Sequence, residues 1–304
     1  MAQRLHLKVE NFRAITRADL EIDKITVLYG PNGGGKSTII HALLLATGIR
    51  DDVLERIITR GLRKGTRITL ESDNGVIECI FDNQLRCNCM CRQLEVKGRF
   101  RSDRDLIECS SKVWGVERVS YVYRDRMVVY NISGGEVHKT RSGVELRIND
   151  LDLWDSWEIL NEYDVVFAED GRRILSDVEE LIEATNVYGR YVERNGAWYE
   201  ILSEAYGYKR AVMITLAAAH SDVLLVENLD NGLHVDLLIN LVSRIAEFSK
   251  LAVLETHVGL LLHYALTEKW KAYHIDKTAK QLTLEDLKHV DLFKRELEAY
   301  GYAR

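Results

Sequence analysis

The sequence predicts an α/β fold in which a parallel-sheet core carries an antiparallel, β-rich lobe. Near residue 30, an apolar strand runs into a glycine-rich loop and then into an apolar helix, and after residue 203 strands and helices alternate as in a parallel α/β unit. Residues 66–148 instead show two-residue alternation around Asp-Asn-Gly and Ser-Gly-Gly turns, which is typical of antiparallel hairpins. We therefore expect a single domain, with one lobe over about 1–150 and a second over about 151–304.

The remaining elements follow from local patterns. Residues 5–12 alternate as a half-buried strand, and residues 19–30 end in an apolar strand. After the middle segment the patterns predict helices at 174–186, 209–220, 235–250 and 258–266, a hairpin at 188–201, strands at 221–226 and 251–255, and a hairpin followed by a charged helix over 271–304.

Composition limits the class of protein. The 304 residues are 46% hydrophobic and 29% charged, which is enough for a substantial core. No apolar run approaches the roughly 18 to 20 residues of a membrane span, and the N-terminus lacks the apolar core of a signal peptide. We expect a cytoplasmic protein without a membrane partner.

The middle of the chain differs in charge and in cysteine content. The net charge is -6, yet residues 86–147 carry 13 Lys and Arg against 8 Asp and Glu. This excess is compatible with a nucleic-acid contact, although an excess of this size is more often a solvated surface. All five cysteines lie between residues 79 and 109, and the alternation of Cys87, Cys89 and Cys91 favours thiols on one buried strand face over zinc or disulfides.

The glycine-rich loop has the residues of a phosphate-binding site. It fits the pattern of glycine, four residues, then Gly-Lys-Ser. Glycines let backbone N–H groups approach phosphates, and the following helix directs its positive end towards them. Lys36 is expected to reach the β and γ phosphates, and the Ser37 hydroxyl to bind Mg²⁺. The sequence thus predicts an ATP and Mg²⁺ site built from Gly30, Pro31, Asn32, Gly33, Gly34, Gly35, Lys36, Ser37 and Thr38.

An acidic residue follows a second apolar strand. Glu227 stands directly after Val223–Val226, at the carboxyl end of the strand, where ligand sites of α/β proteins lie. Beside a phosphate loop, a carboxylate at this position is expected to hold Mg²⁺. Without that loop, a solvated glutamate at a strand end would be the better interpretation.

These motifs together resemble the ABC-type ATPase heads of the SMC and RecF class, which includes the OLD nucleases and other AAA-type ABC-like proteins. The similar segments cover roughly residues 4–48 and 203–262. They are LKVENFRAITRADLEI with Asn-Phe-Arg at 11–13, the phosphate loop, AYGYKRAVMITLAAAH, VLLVENLDNGLH and LAVLETH. The resemblance implies a dimer of heads around ATP, either a homodimer or a pair with a second ATPase subunit.

The resemblance also implies roles for single residues. His257 takes the place of the switch histidine near the γ-phosphate, and Gly207 that of the signature glycine that caps ATP from the second subunit. Arg13 is a candidate contact to phosphate or base. The sequence departs from the family pattern at Asn228, where a glutamate usually activates the attacking water, and at Ala205, where a serine is usual.

An asparagine cannot accept a proton, so hydrolysis is expected to be slow unless Asp230 substitutes. We therefore expect a nucleotide-gated dimer switch or slow ATPase in DNA repair, chromosome maintenance or phage defence. The alternatives are a regulatory ATP-binding scaffold for a protein partner and the ATP-binding subunit of a transporter.

Overall fold

The computed structural model describes residues 4–49, 61–91, 94–99, 104–132, 144–147, 176–188 and 191–289. Within these ranges one sheet has 14 strands in the order β10-β9-β8-β14-β15-β3-β16-β17-β2-β1-β4-β5-β6-β7, and a small sheet has the order β11-β12-β13. The strands are β1 Leu5–Phe12, β2 Ile15–Ile22, β3 Ile25–Tyr29, β4 Leu62–Ser72, β5 Gly75–Phe81, β6 Leu85–Cys91, β7 Leu94–Arg99, β8 Arg118–Tyr123, β9 Arg126–Asn131, β10 Val144–Arg147, β11 Asn186–Tyr188, β12 Tyr191–Arg194, β13 Ala197–Glu200, β14 Val223–Val226, β15 Leu251–Thr256, β16 Lys271–Asp276 and β17 Thr278–Gln281.

Five α-helices accompany the strands in the described ranges. They are α1 Lys36–Leu45, α2 Arg104–Trp114, α3 Tyr206–Ala219, α4 Val235–Phe248 and α5 Gly259–Thr267. Residues 176–181 are also helical, and short 3₁₀ turns occupy Ile201–Ser203 and Asp286–His289. In the described part of the chain, every helix is too short or too polar to cross a membrane.

The parallel core consists of β8, β14, β15, β3 and β16, which pair in parallel in that order. Every residue of β3, β14 and β15 is buried. Such strands need cover on both faces, and the sequence supplies it with α1 and α2 on one face and α3, α4 and α5 on the other. The predicted parallel-sheet core is confirmed.

The antiparallel lobe is also confirmed, with one addition. Strands β2, β1, β4, β5, β6 and β7 pair antiparallel in succession. Helix α2 packs against this lobe, although the middle segment predicted only strands. Its Ser110 hydroxyl and Trp114 indole both donate to the Ala46 carbonyl, at 2.7 and 3.1 Å, and thereby attach the lobe to the end of α1.

The cysteines lie on a buried face as predicted, but the expectation of free thiols is wrong. Cys79 on β5 and Cys87 on β6 are directly opposite each other and form a disulfide. Cys89 forms a second disulfide with Cys109, which α2 brings onto the same face. Cys91 is free and buried. In the described residues no group of three or more His, Cys, Asp or Glu could hold a metal ion, so zinc has no support there.

The elements predicted after residue 203 agree with the structure to within three residues at each end. The hairpin around Asn195 and Gly196 is present as β12 and β13, with φ values of 53 and 77° at the two turn residues. The Ser-Gly-Gly turn of the middle segment and the charged terminal helix fall outside the described residues.

Candidate functional site

The glycine-rich loop connects β3 to α1 and lies directly against the backbone of β16. A Cβ atom at Gly30 or at Gly34 would come within 2.3 or 2.4 Å of the Ile275 carbonyl oxygen. The Lys277 amide donates to the Gly34 carbonyl at 2.7 Å and fixes the other side of this contact. These two glycines are therefore required by packing.

Lys36 is buried at the first turn of α1 and turns back onto the loop. Its ammonium group donates to the carbonyls of Gly30 and Pro31, at 2.9 and 3.0 Å. The Glu255 carboxylate lies 3.8 Å from Nζ. Burial lowers the pKa of Lys36, and the nearby carboxylates oppose this shift. The ammonium group of the lysine predicted to bind phosphate thus contacts the backbone of the glycine-rich loop.

Ser37 has a partner that the sequence analysis did not identify. Its hydroxyl donates to Glu255 Oε2 at 2.8 Å. Glu255 is 3% exposed, and its burial raises its pKa to about 7, with Ser37 and Lys36 acting in the opposite direction. The signal was present in LAVLETH, because an acid ends an otherwise apolar strand two residues before His257.

Glu227 lies at the end of β14 as predicted, but its carboxylate binds other protein groups. Oε1 accepts a hydrogen bond from the Tyr121 hydroxyl at 2.6 Å and lies 2.6 Å from His41 Nε2. Burial alone would raise the pKa of Glu227, but the contacts with His41 and Tyr121 hold it below its usual range. Arg13 Nη1 lies 2.5 Å from His41 Nδ1, so the predicted Arg13 joins the same group.

Asn228, Asp230 and His257 meet beside the loop. Asn228 Oδ1 lies 3.1 Å from His257 Nε2. Asp230 Oδ1 accepts hydrogen bonds from the Thr256 hydroxyl at 2.8 Å and from the His257 amide at 2.9 Å. Burial, followed by the charge of Lys36, lowers the pKa of His257 and favours the neutral imidazole. Asp230 therefore holds the backbone that positions His257.

Helix α3 contains Gly207, the predicted signature glycine, and contacts the residues that follow β14. Gly207 is buried against the Gly232 carbonyl, which would lie 2.4 Å from an added Cβ. Ala205 provides no side-chain cap for the helix. The fully buried Arg210 donates to the carbonyls of Glu227 and Asn228, each at 2.9 Å, and also to that of Arg124. This arginine was not predicted, because buried arginines have no motif of their own.

A pocket of about 260 Å³ opens over the loop. It brings together six of the predicted loop residues with Asn228 and with the unpredicted Glu255. Its described lining consists of Ala14, Asn32, Gly33, Gly35, Lys36, Ser37, Thr38, Asn228 and Glu255. The pocket therefore combines backbone amides, a cation, a hydroxyl and a carboxylate, which is the chemistry that a nucleotide phosphate chain with a metal ion requires.

Comparison with known proteins agrees with this geometry. Residues 6–148 match the AAA domain family. The first half of the chain is therefore similar to that family. The glycine-rich loop over residues 30–38 lies inside the matched residues. The second half of the protein, including Glu227 and Glu255, lies beyond the match.

Solved structures share the fold of the described part of the chain. An SMC head bound to the C-winged helix domain of ScpA matches with a TM-score of 0.56 at 12% identity, over 92% of this chain and 98% of that chain. The SMC head domain from Thermotoga maritima matches with a TM-score of 0.46 at 12% identity, over 93% of this chain and 99% of that chain. A dimeric ATP-binding cassette bound to ADP and Pi matches with a TM-score of 0.47 at 14% identity, over 91% of this chain and 98% of that chain. The fold assignment rests on the first of these structures. It shows that the described part of the chain has an α/β P-loop fold of the ABC-ATPase type, similar to that of an SMC head.

Proposed function

We propose that this head binds ATP with Mg²⁺ at the loop over residues 30–38 and acts as a nucleotide-gated switch with slow turnover. The observation that carries the proposal is the position of Asn228, which lines the pocket and contacts His257 where a proton acceptor would be needed. General-base assistance contributes about 10²- to 10⁴-fold in rate, so its absence leaves binding intact and hydrolysis slow.

Asp230 is a poor substitute for the missing base. One of its oxygens already accepts two hydrogen bonds from the end of β15. Moving that carboxylate towards a water molecule would release both donors and displace the His257 backbone. This supports slow turnover of the isolated head.

Turnover assays on the purified protein test this proposal. The unaltered protein is expected to hydrolyse ATP slowly, and Asn228→Glu to raise the rate by at least about 10²-fold, because it restores a carboxylate beside His257. Asn228→Gln is the matched control, with the same length and no base, and is expected to remain slow. Rapid turnover of the unaltered protein would refute the proposed role of Asn228.

The dimer is part of the proposal. Two heads would enclose ATP between the loop of one and the Gly207 segment of the other, as a homodimer or with a second ATPase subunit. The uncapped start of α3 supports this arrangement, because its backbone N–H groups have no side-chain cap from Ala205. Mass measured with and without Mg·ATP tests it, and a mass that stays monomeric in both conditions would contradict it.

DNA repair, chromosome maintenance or phage defence in the cytoplasm is the proposed setting. The excess of Lys and Arg over residues 86–147 supports a nucleic-acid partner. A protein partner is the second candidate, since the solved SMC head is bound to a domain of ScpA. DNA binding that weakens steeply with salt would favour the first setting, and its absence the second.

A further inference from the structure

We propose that Glu255, and not Glu227, is the carboxylate that binds Mg²⁺ together with Ser37, while Glu227 positions the helix that follows the loop. The proposal rests on the proposed function, since it concerns the metal ion that accompanies ATP. It moves the metal-binding role from the strand end that the motif indicates to the neighbouring strand.

The first argument is the distance between the two oxygen donors. Mg²⁺ binds six oxygens at about 2.0–2.1 Å in a near-ideal octahedron, so neighbouring ligand oxygens lie roughly 2.9 Å apart. Ser37 Oγ and Glu255 Oε2 lie 2.8 Å apart. An ion could therefore take both oxygens as adjacent ligands without moving either side chain far.

The second argument is the position of Glu255 in the pocket. It lines the pocket beside Lys36 and Ser37, the two residues expected at the β and γ phosphates. Its second oxygen, Oε1, faces the Lys36 ammonium at 3.8 Å. A carboxylate between these two side chains stands where a metal ion bridging two phosphates would be bound.

The third argument is that one carboxylate oxygen of Glu227 already contacts two other side chains. Its Oε1 is shared by the Tyr121 hydroxyl and the His41 imidazole, both at 2.6 Å, and Glu227 is not among the described residues that line the pocket. Turning this oxygen towards the loop would break both contacts and leave the buried Tyr121 hydroxyl and His41 Nε2 with their mutual contact at 3.1 Å in place of a carboxylate, which is costly. His41 lies on α1 and Tyr121 on β8, so Glu227 links the loop helix to the sheet.

The alternation of the two strands explains how both acids face α1. Leu251 and Val253 belong to the core beneath α1 and α2, and Glu255 continues that face of β15. Val223 and Leu225 do the same on β14, and Glu227 follows them. Both carboxylates thus point to the same side of the sheet, and of these two strands β15, but not β14, lies directly beside β3 and its loop.

Calorimetric titration with ATP, in excess Mg²⁺ and again in EDTA, tests the assignment on the full chain. Three proteins are compared, namely the unaltered chain, Glu255→Gln and the matched variant Glu227→Gln. The measured quantity is the affinity for ATP in Mg²⁺ divided by the affinity for ATP in EDTA. Glu255→Gln is expected to lower this ratio by at least about 10-fold, because a ligand is lost, and to bind metal-free ATP no worse, because a negative charge near the phosphates is removed.

Glu227→Gln is expected to keep the ratio of the unaltered protein, with any loss of affinity equal in Mg²⁺ and in EDTA. Bound Mn²⁺, followed by electron paramagnetic resonance in the presence of ATP, gives a second readout, and Glu255→Met, which has a similar length and no oxygen ligand, replaces Glu255→Gln if the latter does not fold. A lowered ratio in Glu227→Gln, together with an unchanged ratio in Glu255→Gln, would overturn the assignment. A lowered ratio in both variants would also overturn it. Failure of the unaltered protein to bind ATP in either condition would instead refute the proposed function itself.

Discussion

Reduction of the two disulfides is expected to destabilise the antiparallel lobe by a predictable amount. The bridges span sequence separations of 20 residues (Cys89 to Cys109) and 8 residues (Cys79 to Cys87). Closing loops of this size removes entropy from the unfolded chain worth about 3 and about 2.5 kcal/mol, respectively. Reductant should therefore lower the free energy of unfolding by several kcal/mol in a denaturant titration.

The same experiment has an internal control. Cys91 is buried and free, so Cys91→Ala should respond to reductant as the unaltered protein does, whereas the double variant Cys89→Ala/Cys109→Ala should lose the larger part of the response. Thiol titration in denaturant should give one thiol per chain before reduction and five after it. Five thiols in protein purified without reductant would refute the pairing and restore the interpretation from strand alternation.

Three further predictions concern the packing around the site. Burial would raise the pKa of Asp222, but Lys250 and two backbone amides lower it below its ordinary value. The Asp222 carboxylate therefore adds to the free energy of unfolding above the unfolded-state pKa, and this stabilisation is lost as pH falls through the lower folded-state pKa. Asp222→Asn should thus cost about 2 kcal/mol at pH 7 and nothing at low pH, and a pH-independent difference in unfolding free energy would contradict this. Arg210→Met leaves three partly buried carbonyls without their donor and should cost about 2 kcal/mol, measured by denaturant unfolding, and an unchanged stability would show that these bonds contribute little. Gly207→Ala should lower the melting temperature because the new Cβ meets the Gly232 carbonyl, whereas Gly196→Ala meets no atom within 4 Å and should cost only the strain of its positive φ; equal effects would refute the contact.

The sequence predicted the loop and the parallel core because both depend on local patterns. Apolar strands followed by glycines, and helices with apolar faces, carry their own signals. The face of each strand was also predictable, which is why the cysteines were correctly expected to be buried. The disulfide pairing of the cysteines was not predictable. It depends on the register of β5 against β6 and on α2, a helix that the alternating pattern of the middle segment did not predict.

Glu255 was missed for a similar reason. A motif assigns the metal to the acid that follows β14, but the distance from Ser37 is set by which strand neighbours β3. That order brings Glu255 of β15 to the loop and leaves Glu227 one strand further away, in contact with His41 and Tyr121. Neighbour order within a parallel sheet depends on long-range packing, and local periodicity carries no information about it.

Binding of Mg·ATP to the purified chain, measured by calorimetry, tests the central claim most directly. Lys36→Ala removes the buried ammonium at the loop, and Lys24→Ala removes an exposed one elsewhere as a control. The account predicts that the unaltered protein and Lys24→Ala bind alike and that Lys36→Ala loses most of the affinity. Equal binding by all three proteins, or no binding by the unaltered one, would contradict a nucleotide site at this loop.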